Sequence, residues 1–69
     1  MPDVSVNGSP ARVPAGHTVA DLLRAATGSP APRGVAVALN GTVVRRADWP
    51  TTGLSEGDRV EVLTAKQGG

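Results

Sequence analysis

The chain has 69 residues, a formal charge of +1 from seven basic and six acidic side chains, and no cysteine. That length allows one domain burying only about 60% of its unfolded surface. Disulfides and thiolate metal sites are excluded, and the core must come from Val, Leu and Ala around a single Trp, with no Phe or Tyr. The scattered charges form no basic stripe of the kind that grips a phosphate backbone, so nucleic acid is not an expected partner. No apolar run approaches the roughly 20 residues needed to span a bilayer. The acidic start Met1-Pro2-Asp3 lacks the basic region and apolar run of a signal peptide, so a cytoplasmic protein without membrane association is expected.

In chain order, Asp3-Val4-Ser5-Val6 alternates with the period of a half-buried strand. Asn7-Gly8 follows, a strong hairpin signal because both turn positions need positive φ. Ala11-Arg12-Val13 reads as the return strand with Ser9-Pro10 early in it, and Pro10, which cannot donate to a ladder, marks it as an edge. Thr18 is suited to cap a helix over Val19 to Thr27, with Asp21 three residues on completing a near capping box. Val19, Leu22, Leu23 and Ala26 define one apolar face, and Gly28 ends the helix.

Ser29-Pro30-Ala31-Pro32-Arg33-Gly34 is a stiff connector rather than a domain linker, since neither side could fold alone. Val35-Ala36-Val37-Ala38-Leu39 reads as an inner strand whose larger residues face the helix. Asn40-Gly41 repeats the hairpin signal, with Thr42 to Arg45 returning. Arg46 to Gly53 has no period and reads as irregular, with room for one helical turn. Ser55 to Asp58 is a turn. Arg59 to Thr64 is the last strand, with Val60 and Val62 on one face and Arg59, Glu61 and Leu63 on the other. A helix with one apolar stripe must cover a sheet face, and the last strand fills the gap between the hairpins, parallel to the first. This is an α+β design: the ubiquitin-like β-grasp fold, a mixed sheet of four to five strands with one main helix. Residues 1–69 form a single domain in this reading, with residues 65–69 a flexible C-terminal tail.

The ending Ala65-Lys66-Gln67-Gly68-Gly69 suits a substrate better than a scaffold. Gly-Gly adds no packing and loses the most backbone freedom on ordering, but without Cβ atoms it can thread a narrow active site. The reacting group would then be the Gly69 α-carboxyl, and the catalytic side chains would belong to a partner. The plainer alternative is a frayed terminus. Extended, Lys66 to Gly69 would reach about 14 Å beyond the body. Lys66, Gln67 and Gly68 are the candidate partner contacts along the tail. Leu63, apolar on the open face near its root, is a candidate docking residue, although scattered exposed leucines are normal. His17 and Ser55 have no evident relay partner, and a single His does not make a metal site. Trp49 reads as a core or loop-pinning residue rather than a binding anchor.

Four segments carry a resemblance: Val13 to Leu23, Val35 to Gly41, Val44 to Trp49 and Glu56 to Val62. With the Gly68-Gly69 ending, they resemble the thiamine-pathway sulfur carrier (ThiS) family in order and length. The resemblance implies a protein co-substrate rather than an enzyme, monomeric when free and holding no cofactor of its own. A partner resembling ubiquitin-activating enzymes would use ATP and magnesium to adenylate the Gly69 carboxylate. Sulfur from a persulfide donor would then leave a thiocarboxylate on Gly69, and thiazole synthase would take that sulfur into the thiazole ring. Three alternatives remain open: the small subunit of molybdopterin synthase, a ubiquitin-like protein modifier, and a regulatory ligand-binding β-grasp module. The first shares the Gly-Gly chemistry, but such chains usually run longer. The second would form lysine conjugates, and the third needs no free Gly-Gly end.

Overall fold

The computed structural model describes residues 1–64; the expected tail, residues 65–69, lies outside the described residues. Seven elements follow in order: β1 (Asp3–Val6), β2 (Ser9–Arg12), α1 (Val19–Thr27), β3 (Val35–Leu39), β4 (Thr42–Val44), a 3-10 helix (Arg46–Thr51) and β5 (Arg59–Thr64). The five strands form one sheet in the order β2-β1-β5-β3-β4. Only β1 and β5 run parallel; the other neighbours are antiparallel. One helix on one face of such a sheet, with the last strand between two hairpins, is the β-grasp architecture.

Both hairpins turn on Asn-Gly as expected. Asn7 and Asn40 have φ of 52° and 53°, and the glycines after them 84° and 86°, the left-handed pair that matches the twist of the flanking strands. The first return strand includes Ser9-Pro10 as expected but ends at Arg12, one residue earlier than the sequence suggests. It begins at Ser9, and Val13 lies beyond it, buried, donating its N–H to the Pro2 carbonyl at 3.0 Å. Val6↔Ser9 closes the turn, so the antiparallel alternation leaves the Pro10 nitrogen on the solvent side of this edge strand.

The helix has the expected limits, for a local reason. Thr18 Oγ1 accepts the Asp21 N–H at 3.2 Å while Asp21 Oδ2 accepts the Thr18 N–H at 3.0 Å, a reciprocal box with Asp in place of the usual Glu. At the other end Gly28 adopts φ 87° and its N–H reaches the Arg24 carbonyl at 2.8 Å. The buried face is Val19, Ala20, Leu22 and Leu23. Ala26, expected on that face, is exposed, and Ala20 is buried instead. Close packing is confined to the first half of the helix, which meets the 3-10 helix. Ala26 borders an open apolar cleft of about 370 Å³ that Val6 and Val62 of the sheet also line; 3.6-residue spacing alone cannot tell which half is closely packed.

Trp49 is the keystone of the core. Only 1% of its surface is exposed, and its indole Nε1–H donates to the Val44 carbonyl at 3.0 Å. It lies in the segment read as irregular, which is a six-residue 3-10 helix containing Pro50. The Arg46 guanidinium stacks 5.4 Å from the indole centre and donates to the carbonyls of Ala31 and Pro32. One arginine thus fastens the Pro-rich connector to the 3-10 helix. Beyond it, Val19 N–H donates to Thr52 O and Leu54 N–H to His17 O, both at 2.9 Å, which brings Leu54 into the core. The core residues are Val4, Val13, Val19, Ala20, Leu22, Leu23, Val37, Trp49, Leu54 and Val60, and no polar or charged side chain is buried among the described residues.

Candidate functional site

β5 lies between β1 and β3 and ends at Thr64, where the described chain stops. Strand alternation divides its side chains. Val60 is buried and Val62 half-buried under the helix, while Arg59, Glu61 and Leu63 project from the opposite, open face. Leu63 is 66% exposed, as its position in the alternation predicts.

The register gathers other apolar groups around Leu63. Ala36 pairs with Leu63 and Ala38 with Glu61 across β3 and β5, and Val43 of β4 pairs with Ala38. Cross-strand partners share a face, so Ala36, Ala38, Val43 and Leu63 form one apolar strip on the open side. Val43 is 72% exposed. The alanines are too small to level the surface, and a shallow depression of about 300 Å³ runs beside Leu63, lined by Gly34, Val35, Ala36, Leu63 and Thr64. This strip was only partly read from sequence. The alternating alanines of β3 signalled an outer face of small residues, but their register against Leu63 and Val43 depends on strand order.

Charge lies to one side of the strip. Asp3 and Arg12, cross-strand partners on the open face, form an ion pair at 2.8 Å. The hydrogen bond from Arg12 holds the Asp3 carboxyl below its ordinary range. Arg59 and Glu61 project from the same face on β5. The surface around the tail-bearing strand is thus apolar with charges of both signs beside it, the general composition of a protein-docking face.

Of the predicted site residues, the structure places Leu63; Lys66, Gln67, Gly68 and Gly69 lie outside the described residues. His17 is half-buried, with its Nδ1 4.0 Å from Asp21 Oδ2. The Ser55 N–H donates to Asp58 Oδ2 at 2.7 Å within its own turn. Among the described residues no hydrogen bond joins His17 to Ser55, and no group of three or more His, Cys, Asp or Glu side chains is arranged to hold a metal ion. Asp21 is committed to the helix cap: the Thr18 backbone N–H, then its hydroxyl, hold the carboxyl below the ordinary range.

A five-stranded mixed sheet, one capped helix and a central last strand beside an apolar open face define a ubiquitin-like β-grasp domain. The ThiS family model matches residues 4–69, and the chain belongs to the ThiS family, whose members are small sulfur carriers. The fold is similar to the crystal structure of the thiamine biosynthesis protein ThiS from Geobacter metallireducens. Identity is 36% and the TM-score 0.78, over 97% of this chain and 99% of that one. A solution structure of a thiamine biosynthesis protein from the same organism is similar at 36% identity and a TM-score of 0.73, over 97% and 87% of the two chains. No protein of curated function matches the sequence.

Proposed function

We propose that this chain carries sulfur for thiamine biosynthesis as a thiocarboxylate on Gly69. The carboxylate of Gly69 attacks the α-phosphorus of ATP on a partner resembling ubiquitin-activating enzymes, with magnesium held there, and pyrophosphate leaves. The product is an acyl adenylate, in which AMP has become the leaving group that a free carboxylate lacks. The terminal sulfur of a protein persulfide attacks the acyl carbon and expels AMP. A thiol then takes the inner sulfur of the resulting acyl disulfide, which frees the thiocarboxylate. That sulfur is a soft nucleophile held covalently, and thiazole synthase is its acceptor.

The observation that carries this reading is the family match, which runs through the Gly68-Gly69 ending as well as the fold. Similarity to the thiamine biosynthesis proteins of Geobacter metallireducens supports the thiamine pathway over the molybdopterin alternative. The site supports the division of labour. β5 leads toward the tail, and the apolar strip around Leu63 offers a partner a docking face beside that strand. Lys66, Gln67 and Gly68 would then contact the channel through which the tail passes.

The test is the intact mass of the protein after incubation with the adenylating enzyme, ATP, magnesium, cysteine and a cysteine desulfurase. Fragmentation should confine an oxygen-to-sulfur exchange to Gly68-Gly69, which separates it from sulfoxide formation at Met1 of nearly equal mass. A variant extended by one residue after Gly69 should fold equally well and show no exchange. Full loading of the extended chain without trimming would refute the proposal. Lysine-linked conjugates in place of exchange would make the protein a modifier.

A further inference from the structure

β1 is too short for the strand it supports. Its parallel ladder with β5 covers only Ser5↔Arg59 and Val6↔Val60, after which the chain turns away at Asn7. Ser5 N–H donates to Asp58 O at 3.0 Å and Asn7 N–H to Val60 O at 2.9 Å. In a continuing parallel ladder the next two bonds would be Val62 N–H to the carbonyl of residue 7, and the N–H of residue 9 to Val62 O. Neither backbone group is in place, because residues 7 to 9 form the turn. Val62 N–H instead donates to Asn7 Oδ1 at 2.8 Å, and Asn7 Nδ2 donates to Val62 O at 3.2 Å.

The carboxamide therefore replaces one missing C=O and one missing N–H with the polarity the ladder requires. From Glu61 onward β5 has β3 on one side and, on the other, the Asn7 side chain. β5 is central in strand order, but the half that leads to the tail is held by a strand on one side only.

We infer that Asn7 is a positioning residue for the tail: its side-chain amide extends β1 by one peptide unit and fixes the outgoing half of β5. Side chains able to tolerate positive φ are few, and asparagine combines that tolerance with a peptide-like amide. Glycine would make the turn equally well but could not make the two bonds. The sheet contains its own control. Asn40, in the other hairpin, accepts the Arg59 N–H at 2.8 Å and donates to Asp58 Oδ1 at 3.0 Å, holding the start of β5 instead of its end.

The kinetic part of the test rests on the sulfur-carrier reading; the structural part does not. Asn7→Gly and Asn40→Gly are compared with the unaltered protein by amide hydrogen exchange and urea unfolding. They are also compared by ATP–pyrophosphate exchange with the adenylating enzyme of the same organism. Asn7→Gly should speed exchange at the Val62 amide about ten-fold, the loss expected for two modest hydrogen bonds, and Asn40→Gly should leave Val62 unchanged. Only Asn7→Gly should raise KM for the carrier, by about two- to five-fold with kcat unchanged, as the fraction of chains with an ordered exit strand falls. Asn7→Asp, which keeps the acceptor for Val62 N–H, should retain part of the protection, and it reads the effect if the glycine variant does not fold. Unchanged exchange at Val62 in Asn7→Gly would overturn the inference. So would an equal rise in KM for Asn40→Gly at matched stability. If the unaltered chain is never adenylated, the carrier reading falls, while the comparison at Val62 still decides what Asn7 does.

Discussion

Replacing Trp49 by phenylalanine tests whether one indole organises the core. The side chain is 1% exposed, donates to Val44 O at 3.0 Å and lies beneath the Arg46 guanidinium. Phenylalanine keeps a ring in place but removes the N–H and leaves space where the larger indole packed. Lost packing should cost about 1 kcal/mol and the lost hydrogen bond about another, giving a destabilisation of about 2 kcal/mol. A 69-residue domain at roughly 0.05–0.15 kcal/mol per residue has roughly 3–10 kcal/mol in total. The substitution should therefore lower the midpoint of thermal unfolding by about 8–16 °C, at roughly 4–8 °C per kcal/mol for a domain of this size. Trp49 is the sole aromatic residue, so unfolding must be followed by far-ultraviolet circular dichroism and not by fluorescence. A fall of less than about 2 °C, well below that range, would refute the assignment of Trp49 as the keystone.

Two further outcomes follow from the cap and the open face. Thr18→Ala should destabilise the protein by about 1 kcal/mol in urea unfolding at neutral pH. Asp21 has its folded pKa lowered from 3.8 by the Thr18 amide and hydroxyl, so its contribution is complete above that value and lost as pH falls through the lower, folded one. The deficit of Thr18→Ala relative to the unaltered chain should therefore shrink in strong acid, and a deficit that grows there would contradict the cap assignment. Leu63→Asp should change stability by no more than about 0.5 kcal/mol, because the side chain is mostly solvated. It should nonetheless raise KM with the adenylating enzyme. An unchanged KM would remove the apolar strip from the docking face.

Much of this architecture was legible because local rules and global needs agree. Thr18, Asp21 and Gly28 fix both helix ends through bonds spanning four residues or fewer, so they can be read without tertiary knowledge. Each Asn-Gly turn and the alternation of β1, β3 and β5 are local in the same sense. The strand order followed from having one gap to fill and one strand left. What escaped is long-range. The asparagines read as turn formers, but Asn7 also bonds a residue 55 positions away. Arg46 opens a segment without a period in the sequence, whereas its bonds to Ala31 and Pro32 and its place over Trp49 order two loops together. Ala26 belongs to the apolar stripe but is exposed, because helical spacing shows which stripe is apolar and not how far along it close packing extends. The apolar strip beside Leu63 required the register of three strands before its members could be seen as neighbours.

The placement of β5 also has a mechanical consequence. A partner that drew in the C-terminal end would pull along the axis of a strand paired with β1 over Arg59 and Val60 and with β3 from Val60 to Thr64. Tension in that direction shears the cross-strand bonds together and does not open them one after another, as it would in a terminal strand peeled from its edge. The load is then shared across the Ser5, Asn7 and Asn40 contacts on β5 and the whole β3 register. A domain built this way resists unravelling when it is loaded along the axis of β5, where a peeled edge strand would give way one bond at a time.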